Sequence, residues 1–253
     1  MMFTTDNFRL GRSGLKISKV ILGAMSYSDP SQGNPWTLPE EQALPLLYHA
    51  YKRGINTWDT ADVYGQGTSE LIINKAIKEY QIPRSRLVIL TKCFFGIDPE
   101  IVKTGQQDFI MAMSNDGHMV NRIGLSRKHI FDAVDASVAR YWYLIITRSY
   151  RLYSDRLGTY IDVLQIHRLD HDTPPEEIMR ALNDVIESGK VRYIGASSVS
   201  VFDLTFAHRL ANHGRLQMAA WELQMLNNVA EKHGWHKFIR SVTGKTASNK
   251  GPH

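Results

Sequence analysis

Gly54-Ile55-Asn56-Thr57-Trp58-Asp59-Thr60-Ala61-Asp62-Val63-Tyr64-Gly65 is the stretch on which the reading of this chain turns. A strand-like run ends on a carboxylate, and a tyrosine follows in the loop that leaves it. The pattern recurs further on. Leu87-Val88-Ile89-Leu90 leads to Lys92 in Leu90-Thr91-Lys92, and Ile161-Asp162-Val163-Leu164 leads to His167 in Gln165-Ile166-His167. Titratable residues at the C-terminal ends of successive strands in a β/α repeat are where a barrel enzyme keeps its chemistry.

The rest of the chain alternates in the same way. Paired glycine signals in residues 11–18 predict a short hairpin. Val20-Ile21-Leu22-Gly23 is expected to be a buried first strand. Pro39-Glu40-Glu41 opens a helix that ends at Arg53-Gly54, and Thr68 or Ser69 is expected to cap a second over residues 70–80. Strand three follows at 87–91. Residues 94–125 form a long loop without helical period, of the kind that covers a site at the top of a barrel. Ser126 caps a third helix, and Thr173-Pro174-Pro175-Glu176 reads as a capping box. Tyr193-Ile194-Gly195-Ala196-Ser197-Ser198 supplies strand five and its loop. A helix then reaches His233-Gly234, and Lys237-Phe238-Ile239 begins strand six. Five to six of the eight strands of a (β/α)8 TIM-type barrel are therefore expected, after an N-terminal hairpin.

The 253 residues and 43% apolar content suffice for one such core. The net charge of +5 comes from scattered lysines and arginines, which speaks against a nucleic-acid footprint. No apolar run is long enough to span a bilayer, and residues 1–9 lack a secretory h-region. The single cysteine, Cys93, excludes an internal disulfide and fits a reducing, cytosolic setting. It follows Lys92 directly, so on a strand it points to the opposite face, as a small buried hydrophobe. No metal-ligand set is assigned, and nothing in the pattern fixes an oligomeric state.

Taken singly, Asp59 could be a strand-end cap, Tyr64 a loop aromatic, Lys92 a surface charge and His167 a core histidine. At corresponding ends of neighbouring strands they make a site instead. A free phenol is a weak acid at neutral pH, and an ammonium beside it favours the phenolate. Lys92 can supply that charge, Asp59 can hold Lys92 by a charge-assisted bond, and His167 can hydrogen-bond a carbonyl oxygen.

These segments, with Gly189-Lys190-Val191-Arg192-Tyr193-Ile194-Gly195-Ala196-Ser197-Ser198, resemble the aldo-keto reductases over residues 8–239. The resemblance implies a (β/α)8 barrel that reduces aldehydes and ketones with NADPH. It implies Tyr64 as general acid, Lys92 and Asp59 as the pair that tunes it, and His167 as the group that orients the substrate. Ser197 matches the first residue of the Ser-Asn pair that binds the nicotinamide carboxamide, and Ser198 replaces the asparagine. Gly23, Met25 and Asp59 are expected to line the cofactor pocket. Tyr27 and Trp36 are candidates for an apolar substrate wall beside Tyr64 and His167.

The chain also departs from that family. Residues 141–156 and 199–217 interrupt it as insert-like segments within a barrel domain of residues 1–239, and 240–253 form a patternless tail expected to be disordered. Val199-Ser200 and Leu216-Gln217 can be encoded by consensus intron ends, so retained introns are the expectation and genuine insertions the alternative. A chain truncated in this way lacks the loops that grip the cofactor phosphate and is expected to be weak or inactive as a reductase. A non-catalytic NADPH-binding regulatory protein on the same scaffold, or an inactive product, are the other readings.

Overall fold

The computed structural model describes residues 7–11, 13–32, 35–97, 115–142, 160–197, 199–200, 218–239 and 241–242. Strands β1 (Asn7–Arg9) and β2 (Lys16–Ser18) form the expected antiparallel hairpin. There follow β3 (Leu22–Gly23), α1 (Glu40–Lys52), β4 (Thr57–Asp59), α2 (Thr68–Glu79), β5 (Val88–Cys93) and α3 (Arg127–Trp142). The chain continues through β6 (Ile161–Ile166), α4 (Pro175–Glu187), β7 (Val191–Ser197), β8 (Val199–Ser200), β9 (Met218–Ala219), α5 (Ala220–His233) and β10 (Ser241–Val242).

Six strands make one parallel sheet in the order β10-β7-β6-β5-β4-β3. The order follows the chain without reversal, which is the winding of part of a (β/α)8 barrel rather than of a doubly wound sheet. Period-two alternation sorts the side chains. Trp58 and Ile89 face outward onto Leu44 and Leu47 of α1 and Ile72 and Ile73 of α2. Cys93, Leu164, Ile166 and Ile194 face outward onto Ile130 of α3, Leu182 of α4 and Leu226 of α5. Val88, Leu90 and Val163 face inward, where Leu10 and Ile17 of the hairpin cover them. The hairpin is tied to β4 by reciprocal bonds, Ser18 N to Thr57 Oγ1 at 3.0 Å and Thr57 N to Ser18 Oγ at 3.2 Å. It covers the inner face at the N-terminal end of the sheet.

Helix ends follow local chemistry. Gly54, at φ 82°, takes the left-handed position after α1. The His129 N–H donates to Ser126 Oγ at 3.2 Å, the cap expected for α3. Elsewhere the structure corrects the sequence reading. The first strand is two residues long and not buried; Val20 is exposed, because β3 has a neighbour on one side only among the described residues. Neither Thr68 nor Ser69 caps α2, whose N-cap is Gly67; the Ser69 hydroxyl donates instead to Ala24 O at 2.8 Å. The capping box before α4 does not form: Thr173 Oγ1 donates to Asp170 Oδ2 at 2.7 Å, and the N-cap is Pro174. The sixth strand lies later than expected. Phe238 packs into the outer core, Ile239 N bonds Ile194 O at 3.0 Å, and the ladder is made by Ser241 and Val242 against Ala196 and Ser197. Two residues assigned to the disordered tail are thus strand, and 243–253 lie outside the described residues.

Of the insert-like segments, Tyr141 and Trp142 complete α3, while 143–156 and 201–217 lie outside the described residues. The first two residues of the second segment pair with the two that follow it, Val199 with Met218 and Ser200 with Ala219. Among the described residues, no helix is long and apolar enough to cross a membrane.

Candidate active site

Strand extensions hold the four singled-out side chains at the open end. Past the formal strand ends, Thr60 N bonds Leu90 O at 2.8 Å, Asp62 N bonds Lys92 O at 3.2 Å and His167 N bonds Cys93 O at 3.0 Å. Beneath the loop that carries Tyr64, Ser69 Oγ shares a hydrogen bond with Thr60 Oγ1 at 2.8 Å, which ties α2 to the end of β4. The loop then turns sharply at Gly65, φ +56°, where a Cβ would overlap the side chain of Ser28. Glycine is therefore required directly after Tyr64.

Lys92 is the hub. Its Nζ donates to Asp59 Oδ2 at 2.7 Å, to Thr60 O at 2.8 Å and to Tyr64 Oη at 3.3 Å. Three acceptors match the three N–H donors of an ammonium. The Lys92 side chain is 4% exposed and that of Asp59 20%, so the pair is largely out of water. Under such conditions the bond is short and strong, and loss of one partner is costly.

His167 is buried, with its ring edge-on to Tyr64 (centroids 5.8 Å) and to Phe95 (5.0 Å). Burial, and then the charges of Lys92 and Arg168, push its pKa down to about 3. The ring is a neutral imidazole with one N–H and one lone pair, and its Nδ1 is buried without a hydrogen-bond partner. Arg168 donates to His167 O at 2.7 Å and lies over the Phe95 ring. Phe95 comes from the start of the long loop, whose far end returns to it through Gly124 N to Phe94 O at 2.8 Å; residues 98–114 lie outside the described residues.

The other candidates spread around this centre. Gly23 is exposed at the end of β3, opposite Asp59 in register, with open space where a Cβ would stand. Met25 and Trp36 are exposed, at 54% and 55%. Tyr27 is instead buried within the α1–α2 core cluster, and burial raises its pKa. Ser197 is buried at the end of β7, and Ser198 lies outside the described residues. Cys93 is buried on the opposite face from Lys92, and burial together with Asp62 pushes its thiol far up, which leaves it inert. A hollow of about 470 Å³ runs along α5, lined by Gln224, Met225, Asn228, Val229 and Lys232. It holds none of the tetrad, and convergent titratable groups mark the site better than volume does.

The sequence pattern of the aldo/keto reductase family matches residues 19–241. The chain belongs to the aldo/keto reductase family. It is 56% identical over 237 residues to versiconal hemiacetal acetate reductase of Aspergillus parasiticus, covering 91% of this chain and 56% of that one. An aldo-keto reductase of Metarhizium robertsii is 46% identical over 212 residues, 81% of this chain and 52% of the relative. One of Alternaria alternata is 42% identical over 238 residues, 91% and 55% respectively. The chain spans about half the length of the curated relatives it matches.

One residue of this aldo/keto reductase site carries no role in the sequence reading. Gln165, fully buried, donates from Nε2 to Asp59 Oδ1 at 2.8 Å. The available signal was alternation: Gln165 and His167 share a face of β6 with Ile161 and Val163, and the glutamine interrupts the apolar residues of that face. The mouth also fits the nicotinamide end of a reduced dinucleotide. The Gln165 Oε1 and His167 Nδ1 atoms are buried and unpartnered, Ser197 brings a hydroxyl, and Gly23 leaves room.

Proposed function

We propose that the chain's site reduces the carbonyl group of an aldehyde or ketone to an alcohol, with NADPH as the reductant and Tyr64 as the proton donor. The observation that carries the reading is Lys92 Nζ, held between Asp59 Oδ2 at 2.7 Å and Tyr64 Oη at 3.3 Å. Gly23, Met25, Asp59, Ser197 and Ser198 would hold the nicotinamide end. When bound, the cofactor supplies the hydride for the carbonyl carbon.

The chain's own residues manage the proton. As negative charge grows on the carbonyl oxygen, Tyr64 Oη gives up its proton to it. The phenolate left behind faces the Lys92 ammonium, which stabilises it in a site shielded from water. Asp59 keeps that ammonium in place. Neutral His167 offers the carbonyl oxygen a hydrogen-bond donor without competing as an acid, since its own protonation lies near pH 3. Tyr64 then regains its proton from solvent.

The relative at 56% identity is named for a hemiacetal, the closed form of a hydroxy-aldehyde. A small-molecule carbonyl, free or masked in this way, is the substrate class that suits the site. The experiment is NADPH oxidation by the purified chain with an aromatic aldehyde, against Tyr64→Phe. Turnover that Tyr64→Phe lowers by roughly 10²- to 10⁴-fold supports the proposal. Equal rates in the two proteins, or tight NADPH binding with no turnover in either, would overturn it.

A further inference from the structure

Gln165 lies on the inner face of β6 with no exposed surface. Its amide nitrogen donates to Asp59 Oδ1 at 2.8 Å, and its amide oxygen is buried without a partner. A carboxylate can only accept, so Asp59 fixes which way the amide faces. An apolar side chain of similar length would fill the same space without burying an unmet amide oxygen, which costs stability. Filling space does not explain this residue.

Its contacts do. Asp59 is gripped on both oxygens, by Lys92 from β5 and by Gln165 from β6. The register sets Gln165 directly beside Lys92, so the amide and the ammonium approach the carboxylate from adjacent strands. Because the amide is neutral, it immobilises Asp59 without competing for its charge. A second cation there would weaken the pull on Lys92, and a hydrocarbon would leave Oδ1 unheld. We infer that Gln165 is a positioning residue, which locks Asp59 so that the Lys92 ammonium keeps its third N–H on Tyr64. The inference rests on the reading of Tyr64 as proton donor.

The test uses the full chain as wild type, Gln165→Met and Gln165→Leu. Methionine keeps the length and leucine the bulk of the side chain, and neither carries a donor. Solvent exchange of the Lys92 ammonium is followed by proton–nitrogen NMR, its signal assigned by its loss in Lys92→Met. Exchange should speed about fivefold or more in Gln165→Met, the mark of a loosened hydrogen-bonded group, in a variant that still unfolds cooperatively. In the reductase assay kcat should fall about tenfold with the carbonyl KM unchanged, as for an interaction acting on the chemical step. Unchanged exchange in a folded Gln165→Met overturns the inference. If that variant does not fold, Gln165→Leu decides by the same criterion, and failure of both to fold makes the residue structural and also overturns it. If the wild type reduces no carbonyl, the functional reading falls, and ammonium exchange still decides the role of Gln165.

Discussion

Lys92 meets Asp59 across a register offset. The residue directly opposite Asp59 on β5 is Leu90, so Lys92 starts two residues nearer the open end. The lysine spans that diagonal to reach Asp59 Oδ2 at 2.7 Å and, from the same position, touches Tyr64 Oη at 3.3 Å. A residue in register with Asp59 would have formed the ion pair without reaching the tyrosine.

The two ends of this pair should therefore fail differently. Asp59→Asn leaves a nearly dry ammonium without its counter-charge and is expected to cost on the order of 3 kcal/mol. Lys92→Met leaves a carboxylate that still touches water and still accepts from Gln165, so its cost should be smaller, about 1–2 kcal/mol. Activity should fall in both, by roughly 10²-fold or more. Denaturant unfolding of the two variants checks the order, and a larger loss in Lys92→Met would contradict it.

A second buried pair holds the opposite end of the sheet. Arg84 Nη2 donates to Asp162 Oδ2 at 2.6 Å, the same oxygen accepts Ile89 N at 2.8 Å, and Arg84 also reaches the carbonyls of Leu87 and Tyr160. The two side chains are 6% and 11% exposed. Asp162→Ala should cost about 3–5 kcal/mol, because a buried guanidinium loses its partner. Replacing both, as Arg84→Met with Asp162→Leu, should cost less than the single change. Urea midpoints measure this, and a double variant less stable than Asp162→Ala would refute it.

The parts of the fold legible in the sequence were those whose signal is local. β5 opens on the apolar Val88, Ile89 and Leu90, β6 is apolar apart from Asp162 and Gln165, and Asp59, Lys92 and His167 stand out because they close such strands. Other features depended on distant partners. The Thr173 cap was lost because Asp170 binds its hydroxyl first, a competition that spacing does not reveal. β10 is only two residues long, and neither Ser241 nor Val242 announces a strand; its place comes from the free edge of β7. Tyr27 looked like a pocket wall, yet the packing of α1 and α2 buries it. Gln165 carried no charge to draw notice, and only its reach to Asp59 across β5 gives it a meaning.

His167 gives the site a pH signature independent of turnover. Its ordinary pKa near ~6.5 is pushed down to about 3, first by burial and then by Lys92 and Arg168. The unfolded chain thus takes up a proton near pH 6.5 that the folded chain refuses until about pH 3. Stability contributed by the neutral ring is complete above pH 6.5 and is lost as pH falls from there toward 3, at up to ~1.4 kcal/mol per unit. Burial lowers His129 as well, so it adds a loss of the same sign. Between pH 7 and pH 5 the wild type should lose about 2 kcal/mol more than His167→Gln, which has no imidazole to titrate there. Urea unfolding at pH 5, 6 and 7 measures both slopes. Parallel slopes would mean that His167 takes up its proton in the folded chain as readily as in the unfolded one, and a protonated ring would then face Lys92 and Arg168 across the site.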